Sequence, residues 1–154
     1  MALALPAGIQ FRPATPPDLP GLDALLHAGG LPRRSATARG GDVIVAALAG
    51  ELIGAVALQR LDGDGLLGSA GVDAAWRGRG VGAQLVEAAL TDAALDALDA
   101  VYLVTATAAP WFARFGFLEI PPDAIPFAVA RAVARLEGEA AHRGLPMRLR
   151  LAVP

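Results

Sequence analysis

A glycine-punctuated turn, Trp76-Arg77-Gly78-Arg79-Gly80-Val81-Gly82-Ala83, joins an apolar segment over residues 66–72 to a helical pattern that begins near Val81. It fixes a strand–turn–helix unit around which the rest of the chain must be arranged. Three alternate glycines let backbone N–H groups approach a ligand without Cβ obstruction. The helix start adds unpaired donors and the positive end of a dipole, which together favour a pyrophosphate. Arg77 and Arg79 can add charge-assisted bonds to phosphate oxygens. A second reading is open at this point: the glycines serve only the geometry of the turn.

The surrounding pattern supplies context. Residues 8–13 read as a short strand, Ile9 and Phe11 alternating with Gln10 and Arg12. Thr15-Pro16-Pro17-Asp18 is a helix-start signal, with a threonine cap, prolines in the first turn and an acid near the dipole. Leu19, Leu22, Leu25 and Leu26 form that helix's apolar stripe, and Gly29-Gly30 is expected to end it. Residues 31–41 are polar and arginine-rich, a loop or a broken helix. Residues 42–49 and 51–61 read as strands around a tight Ala49-Gly50 hairpin. Asp62-Gly63-Asp64-Gly65 is a second hairpin turn, leading into a strand over 66–73.

Three antiparallel strands therefore precede the glycine turn. The helix after it sets Val81, Leu85 and Ala89 beside Val86, Leu90 and Ala94 on adjoining faces and is expected to run to about Leu98. Residues 101–105 form a short strand whose continuous hydrophobicity predicts burial on both faces. Pro110 opens a short helix over 110–115, Gly116 ends it, and 117–120 is the next strand. Residues 122–144 read as a helix with Phe127, Val129, Val133 and Leu136 apolar and Glu137, Glu139 and Arg143 solvated. A strand over 147–153 closes the chain. The expected fold is α+β, a mixed six- to seven-stranded sheet flanked by helices, in one domain over 1–154.

Composition narrows the function classes. With 154 residues, 55% of them hydrophobic, the chain can bury a real core. No apolar run reaches the length of a membrane span, and Met1-Ala2-Leu3-Ala4-Leu5-Pro6 lacks the basic start and apolar length of a signal peptide. Cytoplasm is the expected compartment, with no membrane partner. A formal net charge of -2 argues against nucleic acid as a partner. The absence of cysteine removes a thiol nucleophile and a cysteine metal site. Every basic side chain but the two histidines is arginine, so there is no lysine for a Schiff base. His27 and His142 are too few and too far apart to suggest a metal, and none is expected.

Gly78-x-Gly80-x-x-Ala83 also fits a loose dinucleotide fingerprint. Such a turn should follow the first strand of a parallel array, whereas a meander precedes this one. About seventy residues follow it, too few for a doubly wound sheet, and no acid ends the next strand, Tyr102-Leu103-Val104-Thr105. A Walker A loop fails for want of lysine. Read instead as Arg-x-x-Gly-x-Gly, the turn resembles the acyl-CoA motif of the GNAT superfamily of N-acyltransferases. The resemblance spans nearly the whole chain. Ile9-Gln10-Phe11-Arg12-Pro13-Ala14 resembles the first strand, residues 43–48, 54–58 and 69–72 the second to fourth. Ala109-Pro110-Trp111-Phe112-Ala113-Arg114-Phe115-Gly116-Phe117 is similar to the segment after the fifth.

Within that superfamily the chain is most similar to the small acetyltransferases associated with arsenic-resistance operons. Leu25-Leu26-His27-Ala28-Gly29-Gly30-Leu31-Pro32, Val72-Asp73-Ala74-Ala75-Trp76-Arg77-Gly78-Arg79-Gly80 and Leu103-Val104-Thr105-Ala106-Thr107-Ala108-Ala109 carry this finer likeness.

The resemblance implies acetyl transfer from acetyl-CoA to the amine of a small acceptor in a ternary complex. Backbone N–H groups from Arg79 through Gly80, Val81, Gly82 and Ala83 would hold the pyrophosphate, with Arg77 and Gly78 completing the turn. The strand edge at Gly71, Val72 and Asp73 would pair with the pantetheine arm, and Gly71 could permit the irregularity that lets the strands splay. The Val72 N–H would polarise the thioester carbonyl. Thr105 and Phe112 would border the cofactor. Many relatives carry a tyrosine at the position of Phe112, as acid to the leaving thiolate, and an asparagine at that of Thr105. A thiol of pKa about 8.5 leaves tolerably without such an acid, and water or Ser69 could assist. Phenylalanine here also fits the arsenic-operon-like members.

Ser69 also stands where many relatives place a glutamate, so a general base is not evident. His27 could border the acceptor pocket or be a solvated helix residue. Arg33 and Arg34 could bind a carboxylate on the acceptor or be an exposed pair. The competing expectation is a catalytically silent acyl-CoA-binding or sensing module, and homodimerisation is left open.

Overall fold

The structure, a computed structural model, describes residues 7–28, 42–137 and 144–151. It divides into two compact units, one of Met1–Leu58 with Gly68–Thr91 and one of Gln59–Leu67 with Asp92–Pro154.

In the first unit the alternating pattern yields strands β1 (Gln10–Pro13), β2 (Asp42–Leu48) and β3 (Glu51–Leu61), β2 antiparallel to both others. Ala49 and Gly50 turn the chain between β2 and β3 at φ of 52° and 84°, the left-handed pair that a two-residue hairpin requires. Val43, Val45, Ala55 and Ala57 pack on Leu22 of helix α1 (Leu19–Ala28). Leu19, expected in the same stripe, is 43% exposed at the first position of the α-helix, directly after a 3-10 turn over Pro16–Asp18. Strand β4 (Asp64–Val72) completes the first unit's order β1-β2-β3-β4, and helix α2 (Val81–Leu95) follows the glycine turn.

The Asp18 carboxylate anchors the start of α1. It accepts the Thr15 N–H at 2.7 Å and the Thr15 hydroxyl at 3.0 Å, and takes the Arg12 guanidinium in two bonds of 2.7 and 3.0 Å. The bonds from Arg12, then from Thr15, hold this carboxyl well below the ordinary carboxylate range. A depressed native pKa stabilises the fold above the unfolded value, and the gain disappears as pH falls toward the native value. Asp18→Asn is therefore expected to flatten the loss of stability below about pH 5, read from urea unfolding at stepped pH. An unchanged acid limb would refute this.

In the second unit the order is β4-β5-β7-β6, from β5 (Ala100–Thr105), β6 (Leu118–Glu119) and β7 (Leu145–Arg150), which gives seven strands among the described residues. Gly65↔Val101 and Leu66↔Tyr102 pair in parallel, and β7 is antiparallel to both β5 and β6. Leu66, Ala100 and Tyr102 pack against Val129 and Ala132 of helix α4 (Phe127–Glu137), and the short helix α3 (Ala109–Ala113) lies between β5 and β6 in the chain. The α+β fold with a mixed sheet thus stands as expected. The dinucleotide reading does not, since a meander precedes the glycine turn.

Several expected boundaries move. The second hairpin turn contracts to Asp62-Gly63, at φ of 49° and 86°, and β4 resumes at Asp64. The helix expected over 122–144 becomes a 3-10 turn at Pro122–Ala124 and then α4, because Ile125 precedes a proline and is extended at φ -74° and ψ 128°. Phe127, expected on the apolar face, is 76% exposed with the Arg131 guanidinium 5.7 Å from its ring, whereas Val129 is buried as expected and Ala132 is buried beside it. Glu139 and Arg143 lie outside the described residues, as do the side chains of Leu136 and Glu137.

Helix α2 stops before Leu98. Ala97 takes the left-handed conformation at φ 57°, the Leu98 N–H reaches Ala93 O at 3.1 Å, and the Ala97 N–H reaches Ala94 O at 3.0 Å. These bonds make a Schellman cap with alanine at the position glycine usually holds. Leu98 and Ala93 are buried behind it, leaving Ala94 exposed. Ala97→Gly removes the Cβ penalty and is expected to stabilise the protein by about 1 kcal/mol, measured by urea unfolding. No gain would mean that the cap is unstrained.

Candidate cofactor site

The end of β4 aims the site. Asp73 donates its N–H to Ile53 O at 2.8 Å and so faces β3. Successive strand residues point their backbone groups to opposite edges, which sends those of Val72 to the edge away from β3. There the Val72 carbonyl accepts the Arg77 Nε–H at 3.1 Å. The Asp73 carboxylate accepts the Ala75 N–H at 2.9 Å and opens a 3-10 turn over Ala74–Trp76. Sequence and local hydrogen bonding thus fix both the strand end and the approach to the glycines.

Gly78 and Gly80 have φ of 75° and 92°, a region closed to most side chains. A Cβ on either would meet nothing within 4 Å, so conformation and not crowding demands glycine, and the space beside them is open. Helix α2 then begins with Gln84 N–H bonding Gly80 O at 3.1 Å. The N–H groups of Val81, Gly82 and Ala83, in the first turn, have no helical carbonyl to meet. Gly80 offers no capping side chain, and no acid stands in the first turn. Gly82 lacks the positive φ of its neighbours. A glycine inside a helix costs about 1 kcal/mol against alanine, and turn geometry does not explain it. An uncapped, acid-free helix start flanked by glycine is arranged to receive an anion.

Gly54 seats this helix. A Cβ there would lie 2.9 Å from Leu85, 3.1 Å from Val81 and 3.3 Å from Gly71 O, so its absence lets the first turns of α2 rest on the sheet. This residue was not among those expected at the site, although a glycine inside a strand is a known sign of close approach. Trp76 was also missed. Its ring centroid lies 4.4 Å from the Arg79 guanidinium carbon, and both side chains are half-buried.

In the second unit β5 ends at Thr105, whose hydroxyl accepts the Ala108 N–H at 3.0 Å and braces the entry to α3. Trp111, Phe112, Phe115 and Phe117 form an edge-on aromatic cluster, Phe112 lying 4.9 Å from Trp111 and 6.0 Å from Phe117. The only tyrosine, Tyr102, is buried in the core with Leu66 and Val129. His27 falls on α1 and Ser69 on β4, but their side chains lie outside the described residues, as do Arg33 and Arg34 entirely. Among the described residues no cluster of three histidine or acidic side chains could hold a metal, and no helix is long and apolar enough to cross a membrane.

Residues 39–119 match the model of the Acetyltransferase (GNAT) domain. Among solved structures, the chain is similar to Rv2747 from Mycobacterium tuberculosis in complex with CoA, at 25% identity and a TM-score of 0.76, covering 93% of this chain and 99% of that one. It resembles N-acetylglutamate synthase from Neisseria gonorrhoeae, complexed with coenzyme A and N-acetyl-glutamate, at 22% identity and a TM-score of 0.79. That alignment covers 97% of this chain and 37% of the synthase. The N-acetyltransferase YhbS from Escherichia coli, in complex with CoA, is similar at 24% identity and a TM-score of 0.67, over 97% and 86% of the two chains. No curated protein sequence matches the chain.

Proposed function

This chain belongs to the GNAT acetyltransferase family, and from that premise we propose that it transfers an acetyl group from acetyl-CoA to the amine of a small, amino-acid-like acceptor. The observation that carries the reading is the uncapped start of α2 behind Gly78 and Gly80, beside a β4 end whose Val72 backbone groups face away from β3. N–H groups from Arg79 to Ala83 bind the pyrophosphate. The outer edge of β4 over residues 71–73 pairs with the pantetheine arm, and the Val72 N–H polarises the thioester carbonyl. The neutral amine attacks that carbonyl carbon, the C–S bond breaks, and the thiolate leaves. The proton lost by nitrogen goes to solvent or to a base. Ser69 or a water can protonate the sulfur.

His27, Arg33 and Arg34 border the acceptor in this reading, the two arginines meeting its carboxylate. The synthase solved with N-acetyl-glutamate supports an acceptor of that class by likeness of fold. The finer resemblance to arsenic-operon acetyltransferases belongs to the same proposal, as do a single acyltransferase domain, a cytoplasmic location and the absence of a metal cofactor. Genes for arsenic handling beside this one would support that resemblance.

Phe112 favours a second reading, an acyl-CoA-binding module without turnover, because a phenyl ring supplies no acid to the leaving sulfur. Isothermal titration with acetyl-CoA, followed by thiol release over a panel of amines and amino acids, separates the two. Binding with turnover is expected. Binding without turnover on the panel selects the module, and failure to bind any acyl-CoA overturns both.

A further inference from the structure

The two arginines of the turn are held in different ways. Arg77 has its Nε–H committed to the Val72 carbonyl, so it ties the turn to the end of β4. Arg79 has no such tie and, among the described residues, no carboxylate partner; its guanidinium lies over the Trp76 indole at 4.4 Å. The contacts of Arg114 with Trp111 and of Arg131 with Phe127 are looser, at 5.8 and 5.7 Å. A guanidinium carries five N–H donors, so contact with a single ring leaves donors for a ligand. Gly78 and Gly80 on either side present open space where side chains would otherwise stand.

We infer that Trp76 is a positioning residue, which fixes the Arg79 guanidinium beside the start of α2 so that its remaining donors meet a phosphate of coenzyme A. The inference rests on the cofactor reading above and adds to it the residue that organises the cationic contact. A free arginine is rich in rotamers and must be ordered when it grips a phosphate. On the indole it is ordered before the ligand arrives, and that preorganisation appears as affinity.

A double-mutant cycle on coenzyme A binding tests this, by titration calorimetry on the full chain. Arg79→Ala is expected to weaken binding about 10-fold. Trp76→Leu should weaken it roughly 3- to 10-fold. Because tryptophan acts through the arginine, the double variant should be no weaker than Arg79→Ala alone. Trp76→Phe, which keeps a π face, should recover most of the loss. If the protein turns over, Trp76→Leu should raise KM for acetyl-CoA and leave kcat unchanged, a split that a general loss of structure would not give.

Repeating the cycle with dephospho-CoA identifies the phosphate. A loss that persists assigns Arg79 to the pyrophosphate, and one confined to coenzyme A assigns it to the 3′-phosphate. Single losses that multiply in the double variant, or unchanged affinity in Arg79→Ala, overturn the inference while the cofactor reading stands. A wild-type chain that binds no coenzyme A brings both down.

Discussion

Gly80→Asp is expected to reduce coenzyme A affinity by about 100-fold or more. Two independent terms add. At φ 92° the new side chain is outside the region that even aspartate tolerates, which costs about 1–3 kcal/mol locally and distorts the turn. The carboxylate also stands beside the bound phosphate, where two like charges about 5 Å apart at an effective dielectric near 20 repel by about 3 kcal/mol. Every 1.4 kcal/mol is roughly tenfold in affinity, so the charge alone exceeds a hundredfold. Gly80→Ala carries the strain without the charge and should lose much less.

Gly82→Asp is the companion, because an acid in the first turn of a helix normally stabilises it by about 0.3–1 kcal/mol. It should keep or raise the unfolding free energy while removing coenzyme A binding. Calorimetric titration and urea unfolding on the same samples check both halves. Affinity within threefold of wild type in both aspartate variants would mean that the glycines serve the turn alone.

The parts of this fold that rest on short-range chemistry were readable from residue order. Ala49-Gly50 closes its hairpin and the helix after the glycine turn starts at Val81, since both depend on φ preferences that neighbouring residues declare. The same local logic, carried one step further, would have started the last helix after Pro126, whose predecessor is barred from the helical region. Ala97 is different. Alanine carries no signal for a left-handed cap, and the burial of Leu98 selects that geometry.

The site divides along the same line. Gly78, Gly80 and Gly82 are legible as a turn that lets the backbone be approached closely, whatever occupies it. The stack of Trp76 on Arg79 and the seat of Val81 and Leu85 on Gly54 depend on how the turn and the sheet lie in space. Thr105 is expected as a cofactor contact by resemblance, and its hydroxyl also accepts the Ala108 N–H, a bond that residue order does not declare. The acceptor-facing expectations on Arg33 and Arg34 lie outside the described residues.

Phe117→Ala should be the most destabilising single substitution in the second unit, by about 3–5 kcal/mol. Phe117 is only 1% exposed, the bulkiest of the fully buried side chains among the described residues. Its truncation loses the transfer energy of a phenyl ring and leaves a cavity that the edge-on Phe112 ring can fill only in part. The chain cannot easily shift to compensate. Gly116 before it is held at φ 100°, where a Cβ would press Leu149 at 3.1 Å, and Leu118 after it is pinned opposite Arg148 of β7.

A domain of this size is ordinarily stable by only about 5–15 kcal/mol, so the urea midpoint should fall steeply with an unchanged slope. Phe117→Leu, which retains most of the volume, should cost about 1–2 kcal/mol. Phe112→Ala gives the contrast, because that side chain is only half-buried and its loss should cost less stability. If Phe112 borders the pantetheine arm, its truncation raises KM for acetyl-CoA out of proportion to the stability lost. A drop below about 1 kcal/mol for Phe117→Ala would show that the segment after β5 is anchored elsewhere. The aromatic–glycine–phenylalanine pattern would then have to be explained by the cofactor alone.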